Sequence, residues 1–176
     1  MPAPGPASYV DRVDMADRLT GRVRREDVFR HAVGFRVVHV FVFNSLGELL
    51  LQQLGRHRTR NPLKWGSSVA GYVNAGEDYP EAAARRLREE LGVVHPIAKH
   101  GAAVMEDQGA RKFVTLFTTM ADSVIVREPE HIEGVRFEAV PAIERRLSIA
   151  PDDFTETFRF VFRFYRSTAD LVAPAP

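Results

Sequence analysis

The order of patterns along these 176 residues predicts an α/β fold in which a mixed β-sheet is sandwiched between helices. A run rich in β-branched and aromatic residues, Phe35–Phe43, turns through residues 44–48 into a second strand-like run, Leu49–Leu54. A strongly marked helix comes next, and further strand-like runs follow it. Hydrophobic residues make up 45% and charged residues 27% of the chain, which is ordinary for one globular domain.

The ends of the chain differ in composition from its interior. Residues 1–8 are rich in proline, alanine and glycine and predict a disordered lead, and residues 169–176 predict a flexible tail. One domain is therefore expected over residues 9–168. No apolar stretch approaches the roughly 18 residues of a membrane-spanning helix, and the first residues lack the pattern of a signal peptide. The prediction is a cytoplasmic protein without a membrane partner.

Net charge and cysteine content exclude several classes of function. The formal net charge of +1 provides no overall field that would attract nucleic acid, so no nucleic-acid partner is expected. The sequence contains no cysteine, which excludes disulfides, thiolate nucleophiles, zinc–thiolate sites and iron–sulfur clusters. The six histidines are scattered without the spacing of metal ligands.

The segments around the two strong strands carry weaker signals. Residues 9–24 predict a short hairpin with its turn near Thr20 and Gly21, while residues 25–33 are ambiguous, with room for one helical turn. Residues 56–65 follow the second strong strand, show no periodicity and predict a basic loop.

The best-defined helix is predicted between residues 78 and 92. Asp78 suits the N-cap, Pro80 falls in the first turn, and Glu81 completes a capping box. Gly92 supplies a left-handed stop. An apolar stripe at a spacing of four residues is formed by Ala83, Leu87 and Leu91.

The remaining segments complete the alternation of strands and helices. Short strands are predicted at residues 67–73, 97–105, 112–120 and 132–137, and a short helix at residues 141–146. Residues 154–165 predict the C-terminal helix, because aromatic side chains recur there at a spacing of three to four. The alternation of phenylalanine at positions 158, 160, 162 and 164 would suit a strand equally well.

Three charged residues share one face of the predicted helix beside its apolar stripe, namely Arg86, Glu89 and Glu90. Two neighbouring carboxylates near the C-terminal end of a helix are unfavourable, because that end of the helix dipole is negative. A divalent cation would offset this cost, and oxygen ligands favour Mg²⁺ or Mn²⁺ over zinc. Paired glutamates are more often a solvated helix face, so the pair alone leaves both interpretations open.

Residues 71–93 resemble the box motif of the Nudix hydrolase superfamily, whose members are also called MutT-like. The flanking order of elements fits as well, with a strand–turn–strand before the segment and further strands after it. The matching positions are Gly71, Glu77, Arg85, Leu87, Glu89, Glu90, Gly92 and Val93. This resemblance implies the Nudix fold, a mixed sheet sandwiched between helices.

The resemblance also implies a metal-dependent hydrolase. Such an enzyme holds Mg²⁺ or Mn²⁺ against a small-molecule diphosphate and cleaves the phosphoanhydride by water attack on phosphorus. The implied substrates are nucleoside diphosphates linked to another moiety, and a homodimer is common in the family. By the same resemblance the catalytic residues are Glu77, Arg85, Glu89 and Glu90, and the metal is held by Glu89, Glu90 and the backbone carbonyl of Ala70.

One position departs from the box, because Arg86 stands where the family has a glutamate. Arg86 can pair with the neighbouring glutamates and weaken metal binding, bind substrate phosphates through its planar guanidinium, or face solvent. The sequence leaves these three outcomes open. Another carboxylate would then act as general base or third metal ligand, and the candidates are Glu106, Asp107, Glu130 and Glu133.

Basic residues in and before the box are candidates for contact with the substrate's phosphates. Arg58, Arg60 and Lys64 in the basic loop, together with Arg86, are assigned this role because cationic groups, and guanidinium groups above all, suit phosphate oxygens. A solvated polar loop is the alternative. The group attached to the diphosphate stays open, since the markers of ADP-ribose-type and NADH-type members are missing.

Two other functions compete with hydrolysis. A non-catalytic Nudix-fold module that binds a nucleotide or diphosphate is favoured by Arg86 alone. The isopentenyl-diphosphate isomerase-like branch also resembles this chain, because it tolerates an arginine pair in the box and has a stretch similar to residues 65–72. Here Ala70 replaces that branch's catalytic cysteine and Tyr72 replaces a metal-binding histidine, so its proton-shuttle mechanism is not expected.

Overall fold

The computed structural model describes residues 8–172, with side chains described through residue 169. Nine strands, three α-helices and two short 3₁₀ helices follow one another in this part of the chain. The strands are β1 Tyr9–Val13, β2 Leu19–Arg24, β3 Phe35–Phe43, β4 Leu49–Leu54, β5 Trp65–Gly66, β6 Val69–Tyr72, β7 Ala98–Asp107, β8 Ala110–Met120 and β9 Ile132–Glu138. The helices are α1 Tyr79–Leu91, α2 Val140–Ile149 and α3 Glu156–Val172, and the 3₁₀ helices are Arg25–Asp27 and Pro151–Asp153.

Seven of the strands form one mixed sheet, while β1 and β2 form a separate antiparallel hairpin. The main strand order is β5-β4-β3-β8-β7, with β6 paired to β3 and β9 paired to β4. Strand β3 runs parallel to β8 and antiparallel to β4 and β6. The long β3 therefore sits at the centre of the sheet and carries β6, the strand that contains Gly71, along part of its length.

Helices cover both faces of this sheet, which confirms the predicted sandwich. On the face covered by α1, here called the α1 face, buried valines of β3 pack against the apolar stripe of the helix. On the opposite face, here called the α3 face, Phe41 packs against Phe158 and Tyr165 of α3, with ring centroids 6.1 and 5.4 Å apart. Burial on both faces explains why β3 reads as a continuous apolar run rather than an alternating one.

Helix α1 has the ends that its sequence predicts. The Asp78 side chain accepts a hydrogen bond from the Glu81 backbone N–H, and the Glu81 side chain accepts one from the Asp78 N–H, both at 2.9 Å. Gly92 ends the helix with a φ of 65°, a left-handed conformation in which glycine avoids the strain of a Cβ atom. These caps fix the register of the helix and therefore the direction of its charged face.

The first hairpin turns at a different place from the one predicted. Its turn lies between β1 and β2 at Asp14, whose Oδ1 accepts hydrogen bonds from the backbone N–H groups of Ala16 and Arg18 at 2.8 and 3.0 Å. Thr20 and Gly21 lie inside β2 instead. The aspartate side chain closes the turn together with backbone hydrogen bonds of Asp14 to Arg18 and Asp17, and no glycine takes part.

The C-terminal segment is a helix and not a strand. Helix α3 begins at Glu156, after a 3₁₀ turn, and continues to Val172, beyond the predicted end of the domain at residue 168. Of the lead expected over residues 1–8, residues 1–7 lie outside the described residues, as do residues 173–176 of the expected tail. No helix in the described part of the chain is long and apolar enough to span a membrane.

Candidate functional site

Arg85 ties the loop before α1 to the carboxylate face of the helix. Its Nε and Nη2 donate to the two oxygens of Glu77 at 2.6 and 2.9 Å, and its Nη1 donates to Glu89 at 3.2 Å. Nη2 also donates to the backbone carbonyl of Tyr72 on β6, at 3.2 Å. Burial acts to raise the pKa of Glu77, but the hydrogen bonds from Arg85 and from the Asn74 N–H outweigh it and lower the pKa. Glu77 is therefore held as a carboxylate that anchors Arg85.

Glu90 is the most enclosed carboxylate of the box, with only 3% of its surface exposed. One of its oxygens accepts a hydrogen bond from the side-chain amide of Gln52 on β4 at 2.7 Å. The same amide group donates to the backbone carbonyl of Ser68 at 3.1 Å, which fixes its orientation. Burial raises the pKa of Glu90, and nearby Arg86 acts in the opposite direction. Glu90 is thus oriented by the sheet as well as by its own helix.

Arg86 lies between three carboxylates. Its guanidinium pairs with Glu90, donates to Glu89 at 2.9 Å, and lies 3.5 Å from both oxygens of Glu128. Burial acts to lower the pKa of Arg86, but the charges of Glu90 and Glu128 outweigh it and raise the pKa. Of the three outcomes left open by the sequence, the structure therefore has the first, in which Arg86 pairs with the glutamates.

Glu128 was not among the candidates for a further carboxylate at the site. It lies in the segment between β8 and β9, and backbone hydrogen bonds hold this segment against the end of α1. The N–H of Arg127 donates to the carbonyl of Glu90 at 2.8 Å, and the N–H of Ile125 donates to that of Leu91 at 3.0 Å. An irregular segment has no periodicity that could reveal this docking. The sequence therefore pointed to acids in this region, Glu130 and Glu133, without singling out Glu128.

The four acids that were candidates lie elsewhere. Glu133 pairs with Arg56, and Asp107 pairs with Lys112 and with Arg60. The other two are exposed, Glu106 within 3.8 Å of an arginine on β8 and Glu130 in the segment before β9. Among the described residues, none of these four acids contacts Glu89 or Glu90. The further carboxylate near the box glutamates is Glu128 and not one of the four candidates.

Gly71 provides the space that Arg86 occupies. A Cβ atom placed on Gly71 would lie 2.8 Å from Cγ, 2.9 Å from Nε and 3.0 Å from Cδ of Arg86, closer than non-bonded atoms approach. The Nε atom of Arg86 is buried and has no hydrogen-bond partner. The lack of a side chain at Gly71 therefore makes room for Arg86, and in this position the Nε–H of Arg86 is left without a hydrogen bond.

The site fits a divalent cation by the chemistry of its donors, since carboxylate oxygens are the ligands that Mg²⁺ and Mn²⁺ prefer. The carboxylates concerned are Glu89, Glu90 and Glu128. Over residues 8–172, however, no three acidic or histidine side chains are grouped closely enough to hold a metal ion together. The guanidinium of Arg86 stands between the three glutamates, so a cation would enter only when Arg86 moves.

Ala70 lies on β6, one residue before Gly71 and opposite His39 of β3. His39 faces the α3 side, where its Nδ1 lies 2.7 Å from the hydroxyl of Ser67. Burial, together with the charge of Lys112, lowers the pKa of His39 to about 3, so this imidazole is neutral near pH 7. Strand β6 thus separates the carboxylates on the α1 face from a polar cluster on the α3 face.

The basic loop divides between different partners. Arg60 pairs with Asp107 at 3.1 Å and lies 4.5 Å from the centroid of Phe29, so its charge is already balanced on the α3 face. Arg58 is exposed and Lys64 half-buried, and neither has an ion-pair partner within the described part of the chain. The structure therefore brings none of the three into contact with the box carboxylates.

Comparisons with known proteins identify chains of similar sequence and similar fold. A family model described as the NUDIX domain matches residues 34–158. A protein of Pseudomonas aeruginosa named an uncharacterized Nudix hydrolase is 31% identical over 150 residues, covering 83% of this chain and 89% of that protein. A Nocardia farcinica protein named isopentenyl-diphosphate Delta-isomerase is 37% identical over 171 residues, covering 91% and 98%. The crystal structure of DR0079 from Deinococcus radiodurans superposes with a TM-score of 0.75 at 26% identity, covering 90% of this chain and 99% of that one.

Proposed function

Because the chain belongs to the Nudix family, we propose that it hydrolyses a phosphoanhydride bond with the help of Mg²⁺ or Mn²⁺. Its Nudix hydrolase relatives support an activity of the pyrophosphohydrolase type. The finer proposal is that the substrate is a nucleoside diphosphate linked to another moiety and that water attacks phosphorus directly. A homodimer and a cytoplasmic location remain predictions.

The observation that carries this proposal is that Glu89 and Glu90 of α1 and Glu128 of the segment between β8 and β9 all contact the guanidinium of Arg86. Three carboxylates that share a partly buried site repel one another, and one guanidinium balances only one of their charges. A divalent cation would balance more of this charge. The residues proposed to hold it are these three glutamates and the backbone carbonyl of Ala70. When bound, it supplies an acidified water, charge neutralisation and orientation of the diphosphate.

The other residues of the site position the carboxylates. Arg85, anchored by Glu77, holds Glu89, and Gln52 holds Glu90 at 2.7 Å. Glu89 is the more open of the two box glutamates, with 39% of its side chain exposed against 4% for Glu90. We therefore assign to Glu89 the contact with the attacking water and to Glu90 the role of a fixed ligand.

The proposed contacts with the substrate's phosphates need revision for one residue. Arg58 and Lys64 remain candidates, because neither has an ion-pair partner in the described part of the chain. Arg60 is a weaker candidate, since binding phosphate would break its pair with Asp107. Arg86 keeps its proposed role, because a guanidinium that leaves the carboxylates needs another anion.

Isomerisation of an isopentenyl diphosphate is the second candidate, since several relatives carry that name. By the resemblance described above, Ala70 takes the place of that branch's catalytic cysteine, and the sequence contains no cysteine that could replace it. Tyr72 takes the place of a metal-binding histidine, and its ring stacks on Phe35 with centroids 5.5 Å apart. Hydrolysis is therefore favoured, and the assay for allylic diphosphate separates the two activities.

The test is a turnover screen with Mg²⁺ and with Mn²⁺. The substrates are nucleoside triphosphates, dinucleoside polyphosphates, nucleotide sugars, ADP-ribose, NADH and CoA, with isopentenyl diphosphate as the isomerase arm. Wild type is expected to hydrolyse at least one phosphoanhydride, and Glu90→Gln and Glu128→Gln are each expected to lower kcat by at least about 10–100-fold, the loss that follows when even an outer partner of a metal ligand is removed. Glu130→Gln, two residues from Glu128 and exposed, is the matched control and should behave as wild type.

Two outcomes would overturn the proposal. Binding of a diphosphate without turnover under either metal would make the protein a binding module. Conversion of isopentenyl diphosphate to its allylic isomer would make it an isomerase.

A further inference from the structure

We infer that this protein takes up its divalent cation together with the diphosphate and not before it, because Arg86 occupies the space between the carboxylates until a diphosphate draws it away. The inference rests on the proposed function and concerns the order of binding at that site. It predicts cooperative binding of two ligands through one arginine of this chain.

Arg86 acts as a counter-ion of the three glutamates. Its guanidinium contacts Glu89 and Glu90 directly and lies 3.5 Å from Glu128. A free divalent cation that enters must displace this positive charge and break its charge-assisted hydrogen bonds, which are stronger than neutral ones. Free cations are therefore expected to bind weakly.

The position of Arg86 is also incomplete as a binding site for a guanidinium. Its Nε is buried without a partner, although a guanidinium can donate five hydrogen bonds. Its side chain is 23% exposed, so part of it is already open to solvent. Nη1 and Nη2 of Arg86 donate to the glutamates, while Nε has no partner, so an anion that also accepts from Nε can compete for the guanidinium.

A diphosphate is an anion that can both bind the guanidinium of Arg86 and supply ligands to a divalent cation. It offers paired oxygens to the planar fork of Arg86 and further oxygens to a divalent cation. When Arg86 turns to the diphosphate, Glu90 and Glu128 lose their counter-ion and Glu89 keeps only its contact with Arg85, so the affinity of the three glutamates for a cation rises. By linkage, the cation must raise the affinity for diphosphate by the same factor.

The experiment measures Mn²⁺ binding by electron paramagnetic resonance, with and without methylenediphosphonate as a diphosphate that cannot be hydrolysed. For wild type, methylenediphosphonate is expected to raise the Mn²⁺ affinity, corrected for Mn²⁺ bound by free methylenediphosphonate, by about 10-fold or more, within the usual range of coupling between sites. Arg86→Gln is expected to bind Mn²⁺ tightly without methylenediphosphonate and to lose most of the coupling. Arg88→Gln removes the same charge from an exposed position on the same helix and should match wild type.

Thermal unfolding provides a second readout that does not depend on turnover. Mg²⁺ alone should raise the Tm of Arg86→Gln clearly and that of wild type very little, because only the variant lacks the guanidinium that stands between the three glutamates. The Tm of the variant without metal also shows whether it is folded.

Three results separate this inference from the proposed function. If wild type binds Mn²⁺ equally well with and without methylenediphosphonate, the inference is overturned whether or not the protein hydrolyses a substrate. If Arg86→Gln keeps the full coupling, another residue links the two ligands and the inference is also overturned. Strong coupling in wild type without turnover of any substrate supports the inference and overturns only the hydrolase proposal.

Discussion

Gly71 lies against the aliphatic part of the Arg86 side chain, so an alanine at this position would force the arginine to move. The added Cβ would lie 2.8 Å from Cγ of Arg86, and ordinary contact begins at 3.4 Å. A shift of about 0.6 Å is therefore the minimum. Gly71 lies within strand β6 without a left-handed φ, so the alanine itself adds no backbone strain.

The expected loss in the free energy of unfolding follows from the contacts that this shift of Arg86 would break. The clash is at Cγ and Cδ, near the base of the side chain, so it moves the whole guanidinium and not only its tip. Overpacking of this kind costs about 1–3 kcal/mol. Weakened hydrogen bonds to Glu89 and Glu90 add to the loss, since bonds to charged groups contribute about 1.5–3 kcal/mol each. We expect Gly71→Ala to lower the free energy of unfolding by about 2–3 kcal/mol without metal.

The assay is urea unfolding in the presence of EDTA for four proteins, namely wild type, Gly71→Ala, Arg86→Ala and the double variant. A double-mutant cycle isolates the interaction between the two positions. In the Arg86→Ala background the clash is gone, so the alanine at position 71 should cost less than about 0.5 kcal/mol, as substitutions that create no clash and break no contact usually do.

Equal losses in both backgrounds would refute this reasoning. They would mean that position 71 is sensitive for a reason unrelated to Arg86, such as strand pairing. The placement of the arginine among the carboxylates would then lose its support.

Three further predictions concern other parts of the fold, each measured by urea unfolding. Burial, followed by the charge of Lys112, lowers the pKa of His39 from 6.5 to about 3, so the unfolded chain binds a proton more readily than the folded one. Stability should therefore fall as the pH drops below about 6.5, with a loss of about 2 kcal/mol at pH 5 from this residue, and His39→Gln should remove that part of the pH profile. Asp78→Ala removes the cap of α1 and should cost about 1 kcal/mol, while an unchanged stability would show that the cap is dispensable. Ser68→Ala leaves the buried N–H of Val42 without its 2.9 Å partner and should cost about 1–3 kcal/mol, and a neutral result would mean that this N–H finds another acceptor.

Local patterns in the sequence carried much of the fold. Strands β3 and β4 have the predicted bounds, because β3 is rich in β-branched and aromatic residues and a turn separates it from the leucine run that begins β4. Helix α1 begins and ends where Asp78 and Gly92 indicate, because a cap acts within a few residues of itself. The grouping of Arg85 with Glu77 and Glu89 came instead from the family resemblance, and in the structure Arg85 contacts both glutamates.

Contacts between distant segments were beyond the sequence. Glu128 reaches the site only because its irregular segment is hydrogen-bonded to the end of α1, and no periodicity marks such docking. Arg60 could be assigned to phosphate on its charge alone, whereas its partner Asp107 lies 47 residues away in the chain. Long-range pairing depends on how the strands are arranged, which a local pattern does not specify.

The position of Arg86 depends both on local sequence and on tertiary structure. The sequence alone determined that arginine stands at position 86, where the family has a glutamate. It also put Glu89 and Glu90 within reach of this arginine, because residues three and four apart on a helix are neighbours. Only the tertiary structure decided among pairing, phosphate binding and exposure, because it brought Gly71 of β6 and Glu128 to the same point. The glycine provides the space and the added carboxylate provides the charge, and both come from segments whose positions are set by the packing of the whole fold.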